Sequence, residues 1–308
     1  MVKPNLFIVG APKSGTSALY RFLKQHPDIF MPKYKEPHFF SKDLQKESDI
    51  FHGFLKHYPF RSEDQYLSLF SGAKDEKIIG DASTHALFSN VAAKEIYNFN
   101  PESKIIIMLR EPIEYLYSLH SQLYKHLDEN VDDFKKALQL EKFRKNGEGI
   151  PKTAEFPSKL HYSDWAKFDV QLSRYLKIFN KNKIKIIIFD DFKSDNLKIC
   201  KEIFSFLGID DSFIPEISIV HSNKILKHRK FMGFIKNPAV FKIMKIIPRK
   251  YYSAIGRKFH DALYKKQKRN PLNDSFSNEL KKIYKPIVEN LSVMINRDLI
   301  SLWKYNEI

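Results

Sequence analysis

The sequence predicts an α/β fold in which a central parallel β-sheet is covered by helices on both faces. Three observations carry this. Short apolar runs alternate with stretches of helical periodicity, a glycine loop separates the first run from the first helical stretch, and a chain of 308 residues with 43% hydrophobic and 14% aromatic content can bury a large core. That length is at the upper end of what one domain usually holds, so residues 1–308 are expected to form a single domain with extensions.

Leu6 to Val9 is the first strand. The residues before it could open a signal peptide, but the apolar run is short and leads into a Gly/Lys loop instead of a cleavage site. Ser17 to His26 reads as a helix with Leu19, Phe22 and Leu23 on one face, and Lys77 to Gly80 as a further short strand. Ile105 to Leu109 forms a strand ending at Arg110, and Pro112 suits the first turn of a helix carrying Leu116, Leu119 and Leu123. From Asp128 to Pro157 the chain is polar, with Asn146-Gly147-Glu148-Gly149 and two prolines, and is expected to be a surface excursion near the site. Trp165, Phe168, Leu172, Tyr175, Leu176 and Phe179 fall at helical spacing. Ile184 to Phe189 follows as a strand and Leu197 to Leu207 as a helix ending at Gly208. Leu280, Ile283, Tyr284, Ile287, Leu291 and Met294 keep a helical period, and Pro286 among them is expected to start a second helix. Strands alternating with helices place ligands beyond the carboxyl ends of the strands.

Several classes of function are excluded. No apolar run approaches the roughly 18 residues of a membrane span. The eleven histidines form no metal-spaced pair or Cys/His cluster, so no metal is expected, and Asp190, Asp191 and Asp195 lack the pattern of a calcium loop and read as strand-end and capping residues. No Gly-x-Ser-x-Gly elbow offers a hydrolytic serine. Cys200 is the only cysteine, so no intramolecular disulfide can form, which fits a reducing, cytoplasmic setting.

The net charge of +16 is concentrated: residues 221–270 hold 15 Lys and Arg against one acid, Asp261. Clustered cations with interleaved aromatics could follow a nucleic-acid backbone, although no nucleic-acid-binding motif accompanies them. Phe231 to Ile247 could instead lie on an anionic membrane as a peripheral amphipathic element. The reading preferred here is a basic cover whose charge attracts anionic ligands.

Gly10-Ala11-Pro12-Lys13-Ser14-Gly15-Thr16-Ser17 lies between the first strand and its helix, where backbone N–H groups and the helix dipole favour an anion such as phosphate. A P-loop nucleotide kinase needs lysine directly after the second glycine; here Thr16 stands there and the lysine comes earlier, at Lys13.

The stretch Pro12 to Ser17 resembles the 5'-phosphosulfate loop of the sulfotransferases that use 3'-phosphoadenosine 5'-phosphosulfate (PAPS). Lys35-Glu36-Pro37-His38-Phe39-Phe40 is similar to the segment that follows it in the heparan-sulfate-type and bacterial carbohydrate members. The resemblance implies a P-loop-like three-layer fold, PAPS as donor with adenosine 3',5'-bisphosphate as product, and no metal. It implies that Ser14, Gly15, Thr16 and Ser17 hold the 5'-phosphate and that Lys13 neutralises the bridging oxygen as the sulfuryl group leaves. One lysine and a helix terminus can serve because a sulfuryl group carries less negative charge than a phosphoryl group. Arg110-Glu111-Pro112 with Ser118 is similar to the family's 3'-phosphate motif, to which Arg229 or Lys230 could add a contact.

Leu160-His161-Tyr162, leading into Trp165, looks like the family's central helix, so Tyr162 is expected at the nucleotide; Arg297-Asp298-Leu299 with Trp303 resembles its terminal signature. Trp165 and Trp303 are expected in the core. Glu36 matches the family's catalytic glutamate, with His38 or His85 as the alternative base, and Lys35, His38, Asp81 and His85 are expected to meet the acceptor. Burial would raise the Glu36 pKa and a neighbouring lysine would lower it. The lysine that many glycan-modifying relatives carry in the segment Gly80-Asp81-Ala82-Ser83-Thr84 is replaced here by Ala82. The acceptor, whether glycan, glycolipid or another hydroxyl-bearing molecule, stays open. The resemblance is weakest over residues 42–74 and 224–270.

Overall fold

The structure is a computed structural model that describes residues 2–217 and 271–307, together with the backbone of Lys224–Leu226 and Tyr264–Lys266. Five parallel strands form the central sheet in the order β2-β3-β1-β4-β5, where β1 is Leu6–Gly10, β2 Ile29–Phe30, β3 Ile78–Ala82, β4 Lys104–Leu109 and β5 Ile184–Ile188. Every residue of β1 and β3 is buried, as expected of strands covered on both faces. Two apolar layers do the covering. Leu19, Phe22 and Leu23 of α1 (Thr16–Leu23) pack with Ile199, Ile203 and Phe204 of α11 (Asn196–Leu207) on one face. On the other, Leu116, Leu119 and Leu123 of α5 (Pro112–His126) pack with Leu172 and Tyr175 of α9 (Phe168–Leu176).

Local chemistry sets the boundaries of these helices. Pro112 occupies the first turn of α5, where its missing N–H costs nothing, and the Glu111 carboxylate accepts from the N–H groups of Ile113 and Glu114 at 3.0 and 2.6 Å. Asp195 caps α11 by accepting from Lys198 N–H, and Gly208 closes that helix at φ 73°. Trp165 and Trp303 are buried as expected, and each indole N–H has an oxygen partner, Ser158 O and Asp190 Oδ2 respectively.

Three expectations need correction, and one strand carried no signal. The helical run from Trp165 to Phe179 is broken: α8 (Tyr162–Trp165) ends before α9 begins at Phe168. The short strand β2 had no signal in its two residues. Pro286 lies inside one continuous helix, α12 (Asp274–Ile295), because Tyr284, Val288 and Leu291 are buried on both sides of it and packing outweighs one lost backbone hydrogen bond.

The third correction concerns the polar stretch 128–157, which is no mere surface excursion. It contains α6 (Phe134–Gln139) and α7 (Glu141–Lys145) and buries Phe134, Ala137, Ala154 and Phe156. A bidentate ion pair pins it: Arg144 Nη1 and Nη2 reach the two Glu129 oxygens at 2.6 and 2.7 Å, with both side chains fully buried. The basic segment 221–270, with Arg229 and Lys230, lies outside the described residues apart from the antiparallel backbone pairing of Lys224–Leu226 with Tyr264–Lys266.

Candidate active site

β1 pairs with β3 on one side and β4 on the other, so the loop leaving β1 meets the ends of both neighbours, the place where open α/β sheets bind ligands. Gly15 stands at the N-cap of α1 with φ 91°, a backbone conformation that suits glycine. A Cβ there would come within 3.1 Å of the rings of Phe189 and Phe192. Within the loop, Ser14 and Thr16 are buried, whereas Lys13 and Ser17 are partly exposed. The Ser14 hydroxyl is fully buried and has no protein hydrogen-bond partner. A buried hydroxyl at a helix N-terminus suits an anion's oxygen.

Arg110 follows β4 and reaches the same loop: its Nη1 donates to the Lys13 carbonyl at 3.2 Å, its Nη2 pairs with Glu114 at 3.0 Å, and its guanidinium lies 4.8 Å from the centre of the Phe189 ring. The two segments expected to hold the 5'- and 3'-phosphates are therefore in contact. Ser118 is 5% exposed on α5. Tyr162 departs from expectation. Its ring is fully buried beside His120 and Phe134, and its hydroxyl donates to Glu129 at 2.8 Å, so it anchors the 128–157 stretch.

The segment carrying Glu36 and His38 hangs from the end of β3. Glu36 N–H donates to the Ala82 carbonyl at 3.1 Å, His38 N–H to Ser83 Oγ at 3.0 Å, and Gln45 Nε2 to the His38 carbonyl at 2.8 Å. These bonds hold an unusual backbone at Glu36 and His38, with φ of 63° and 54°, and Lys13 in the glycine loop has φ 66°. Each left-handed non-glycine residue costs of order 1 kcal/mol, and such residues concentrate where a side chain must be aimed. Asp81, expected at the acceptor, is buried behind them. Its two oxygens accept from Tyr66 Oη and Ser83 Oγ, both at 2.7 Å, so it steadies the His38 backbone through Ser83. Burial raises the Asp81 carboxyl despite those two bonds.

Around Glu36 the charges oppose burial. Lys35 forms an ion pair with it and His38 Nε2 lies 3.4 Å from its Oε2. Burial pushes the carboxyl up, but the His38 hydrogen bond and the Lys35 charge outweigh it and hold Glu36 well below the usual carboxylate range, with about a third of its side chain (34%) still exposed. His85 stacks on His38 with ring centres 4.2 Å apart and planes at 8°. Burial pulls His85 down to about 3, so it is a neutral ring at pH 7.

The structure also brings in residues that the sequence did not mark. Glu155, within the polar stretch, forms an ion pair with Lys159, which also meets Asp128 at 3.2 Å; Lys159 and the nearby histidines hold the Glu155 carboxyl low against the effect of burial. Glu155 and Lys159 are four apart, but that spacing is common on solvated helices and gave no functional signal. Among the described residues, no group of His, Cys, Asp and Glu is arranged to hold a metal ion, and no helix is long and apolar enough to cross a membrane.

Comparison with known proteins places the chain in a family. The family model for the sulfotransferase domain matches residues 3–294. Human carbohydrate sulfotransferase 15 is 27% identical over 252 residues, covering 67% of this chain and 44% of the relative. The human bifunctional heparan sulfate N-deacetylase/N-sulfotransferase 1 is 23% identical over 214 residues, covering 68% of this chain and 22% of the relative. The chain thus spans less than half the length of these curated relatives. Among solved structures, a sulfotransferase from Alicyclobacillus acidocaldarius is 27% identical and matches with a TM-score of 0.72 over 99% of this chain and 100% of that one. The chain belongs to the sulfotransferase domain family.

Proposed function

We propose that this chain transfers a sulfuryl group from PAPS to a hydroxyl or amine of a glycan or glycolipid acceptor. The observation that carries the reading is the convergence of three segments at the carboxyl ends of neighbouring strands: the Lys13 loop bonded to Arg110, with Glu36 and His38 hung from the neighbouring strand end. The relatives' names support a carbohydrate acceptor.

In this reading the backbone at residues 14–16 and the hydroxyls of Ser14, Thr16 and Ser17 hold the 5'-phosphate, while Arg110 and Ser118 hold the 3'-phosphate. Arg229 or Lys230 of the basic cover adds to the latter. Glu36 takes the proton from the acceptor as its oxygen or nitrogen bonds to sulfur, and the sulfur–oxygen bond to the 5'-phosphate breaks on the opposite side. Lys13 offsets the negative charge that develops on that leaving oxygen. His38 and Lys35 keep Glu36 ionised and ready to accept the proton.

Calorimetry tests the donor. Adenosine 3',5'-bisphosphate should bind with magnesium chelated; tight magnesium-ATP binding without bisphosphate binding would indicate a phosphate-transferring kinase instead. The basic segment is read as a cover that can also touch anionic membrane, so cosedimentation with anionic vesicles should fall as salt rises.

A further inference from the structure

Polar atoms without protein partners gather beside Glu36. His57 Nε2, His38 Nδ1 and His85 Nδ1 are buried and make no hydrogen bond, while the Tyr58 hydroxyl reaches the Glu155 carboxylate and the His52 ring reaches the backbone of Ala154 and Glu155. Tyr58, His38 and His85 are only 5%, 6% and 8% exposed. Their rings form a continuous series: His52 to His57 at 5.1 Å, His57 to Tyr58 at 6.5 Å, Tyr58 edge-on to His38 at 5.8 Å, and His38 stacked on His85. Glu155 meets the series at Tyr58 and His52, and His38 touches Glu36. Leaving one buried polar group unpaired costs roughly 1–3 kcal/mol, and a folded chain leaves few of them, so three imidazole nitrogens in one place suit partners from outside the protein.

We propose that these five side chains form the acceptor subsite and that it takes an uncharged polyol, a neutral sugar ring, in preference to a sulfated or uronate unit. The proposal rests on the sulfuryl-transfer reading and names the acceptor of that same site. Imidazole and phenol groups both donate and accept, as sugar hydroxyls do. Charge decides the class. Lys159 is neutralised by Glu155 and Asp128, and Lys35 by Glu36. Burial holds His57 near 4 and His85 near 3, leaving both uncharged at pH 7. Lys56 at the rim is exposed and sits in the field of Asp128. The subsite therefore offers hydrogen bonds without a buried free cation to meet a carboxylate or sulfate. Three of its five residues come from residues 42–74, where the resemblance to the family is weakest, the expected place for a feature particular to this chain.

The test measures transfer of labelled sulfuryl from PAPS to cellobiose and to its uronic acid counterpart, which differ by one carboxylate, alongside calorimetry with adenosine 3',5'-bisphosphate. Cellobiose should be the better acceptor by at least about tenfold in kcat/KM. Tyr58→Phe and, separately, His57→Asn should each raise the cellobiose KM roughly tenfold while bisphosphate affinity stays within twofold. Preference for the uronate, transfer to neither sugar by a protein that binds the bisphosphate, or an unchanged KM in both variants overturns the proposal. Loss of bisphosphate binding by the unaltered protein instead overturns the sulfuryl-transfer reading beneath it.

Discussion

The proposed donor side and the proposed acceptor side of the site are built from different materials. At the donor side, the ends of β1 and β4 present backbone N–H groups, a helix terminus and one arginine, all within short, contiguous stretches of sequence. At the acceptor side, His38, the local group His52, His57 and Tyr58, and His85 come from three separate segments that ring packing brings together. The donor side is thus fixed by backbone geometry, whereas the acceptor side is fixed by side chains that could be exchanged without altering the sheet. That difference lets one fold keep its donor and change its acceptor.

Glu36 sits at the seam, and its removal should have the largest effect. Glu36→Gln keeps the shape and hydrogen-bonding reach but removes the basicity, so kcat should fall by about 10²–10⁴-fold while bisphosphate affinity stays nearly intact. Because Lys35 and His38 hold the carboxyl low, the unaltered enzyme should show no acid limb in kcat/KM between pH 5 and 7. If Glu36→Gln keeps most of its activity, His38→Ala loses it and the profile falls in the ordinary imidazole range, histidine is the base and the seam is drawn one residue too early.

Legibility in the sequence followed the same division. The Lys13 loop, Arg110, Pro112 and the apolar runs were readable because a phosphate-binding turn, a strand end and a helix start each demand particular residue types at fixed spacing. Tyr162 and Asp81 were assigned to ligands because their neighbours matched a pattern, yet their hydroxyl and carboxylate are used internally, by Glu129 in one case and by Tyr66 and Ser83 in the other. Tyr66 and Glu129 lie 15 and 33 residues from the groups they bond, where no local period reports them. The same holds for Arg144 and Glu129, which look solvated in a polar stretch and are fully buried. Pro286 misled because its local rule is real but weaker than the packing around it.

The Arg144–Glu129 pair anchors the acceptor-side stretch, so breaking it should separate stability from donor binding. Arg144→Ala leaves an uncompensated carboxylate in the core and should cost about 3–5 kcal/mol in urea unfolding. Bisphosphate affinity of the fraction that remains folded should be unchanged. Replacing both partners by apolar residues, Arg144→Met with Glu129→Leu, should recover much of the stability, because the isolated charge is gone. A large donor-affinity loss in either protein would mean that the two sides are mechanically coupled.

On the donor side, Arg110→Ala should weaken PAPS or bisphosphate binding by roughly 10–100-fold, equivalent to about 1.5–3 kcal/mol for hydrogen bonds to a charged group. Adenosine 5'-phosphosulfate lacks the 3'-phosphate and should lose far less. Equal losses for both nucleotides would remove Arg110 from the 3'-phosphate and leave it as the partner of Glu114 and the Lys13 carbonyl.

The smallest effect is expected from acid, and it should arise on the acceptor side. His57 and His85 have folded pKa values pulled down to about 4 and about 3, mainly by burial, whereas the unfolded chain protonates histidine near its ordinary value of about 6.5. Below pH 6.5 the unfolded state therefore binds more protons than the folded one, and linkage requires stability to fall as pH drops from about 6.5 toward 4. Glu36 and Glu155 act in the same direction but at lower pH, because their folded carboxyls are held low and their contribution is lost only as the pH falls below the ordinary glutamate value. The melting temperature should thus decline by a few degrees between pH 6.5 and 5, before the carboxylates begin to contribute. Groups facing His85 are His38, Glu36, Glu155 and Lys159, and those facing His57 are His52, Lys56, Glu155 and Lys159. With the neighbouring carboxylates still ionised in that window, His57→Asn should flatten the decline. If the slope persists unchanged in His57→Asn and in His85→Gln, the acid sensitivity comes from elsewhere and these rings are not held neutral by burial.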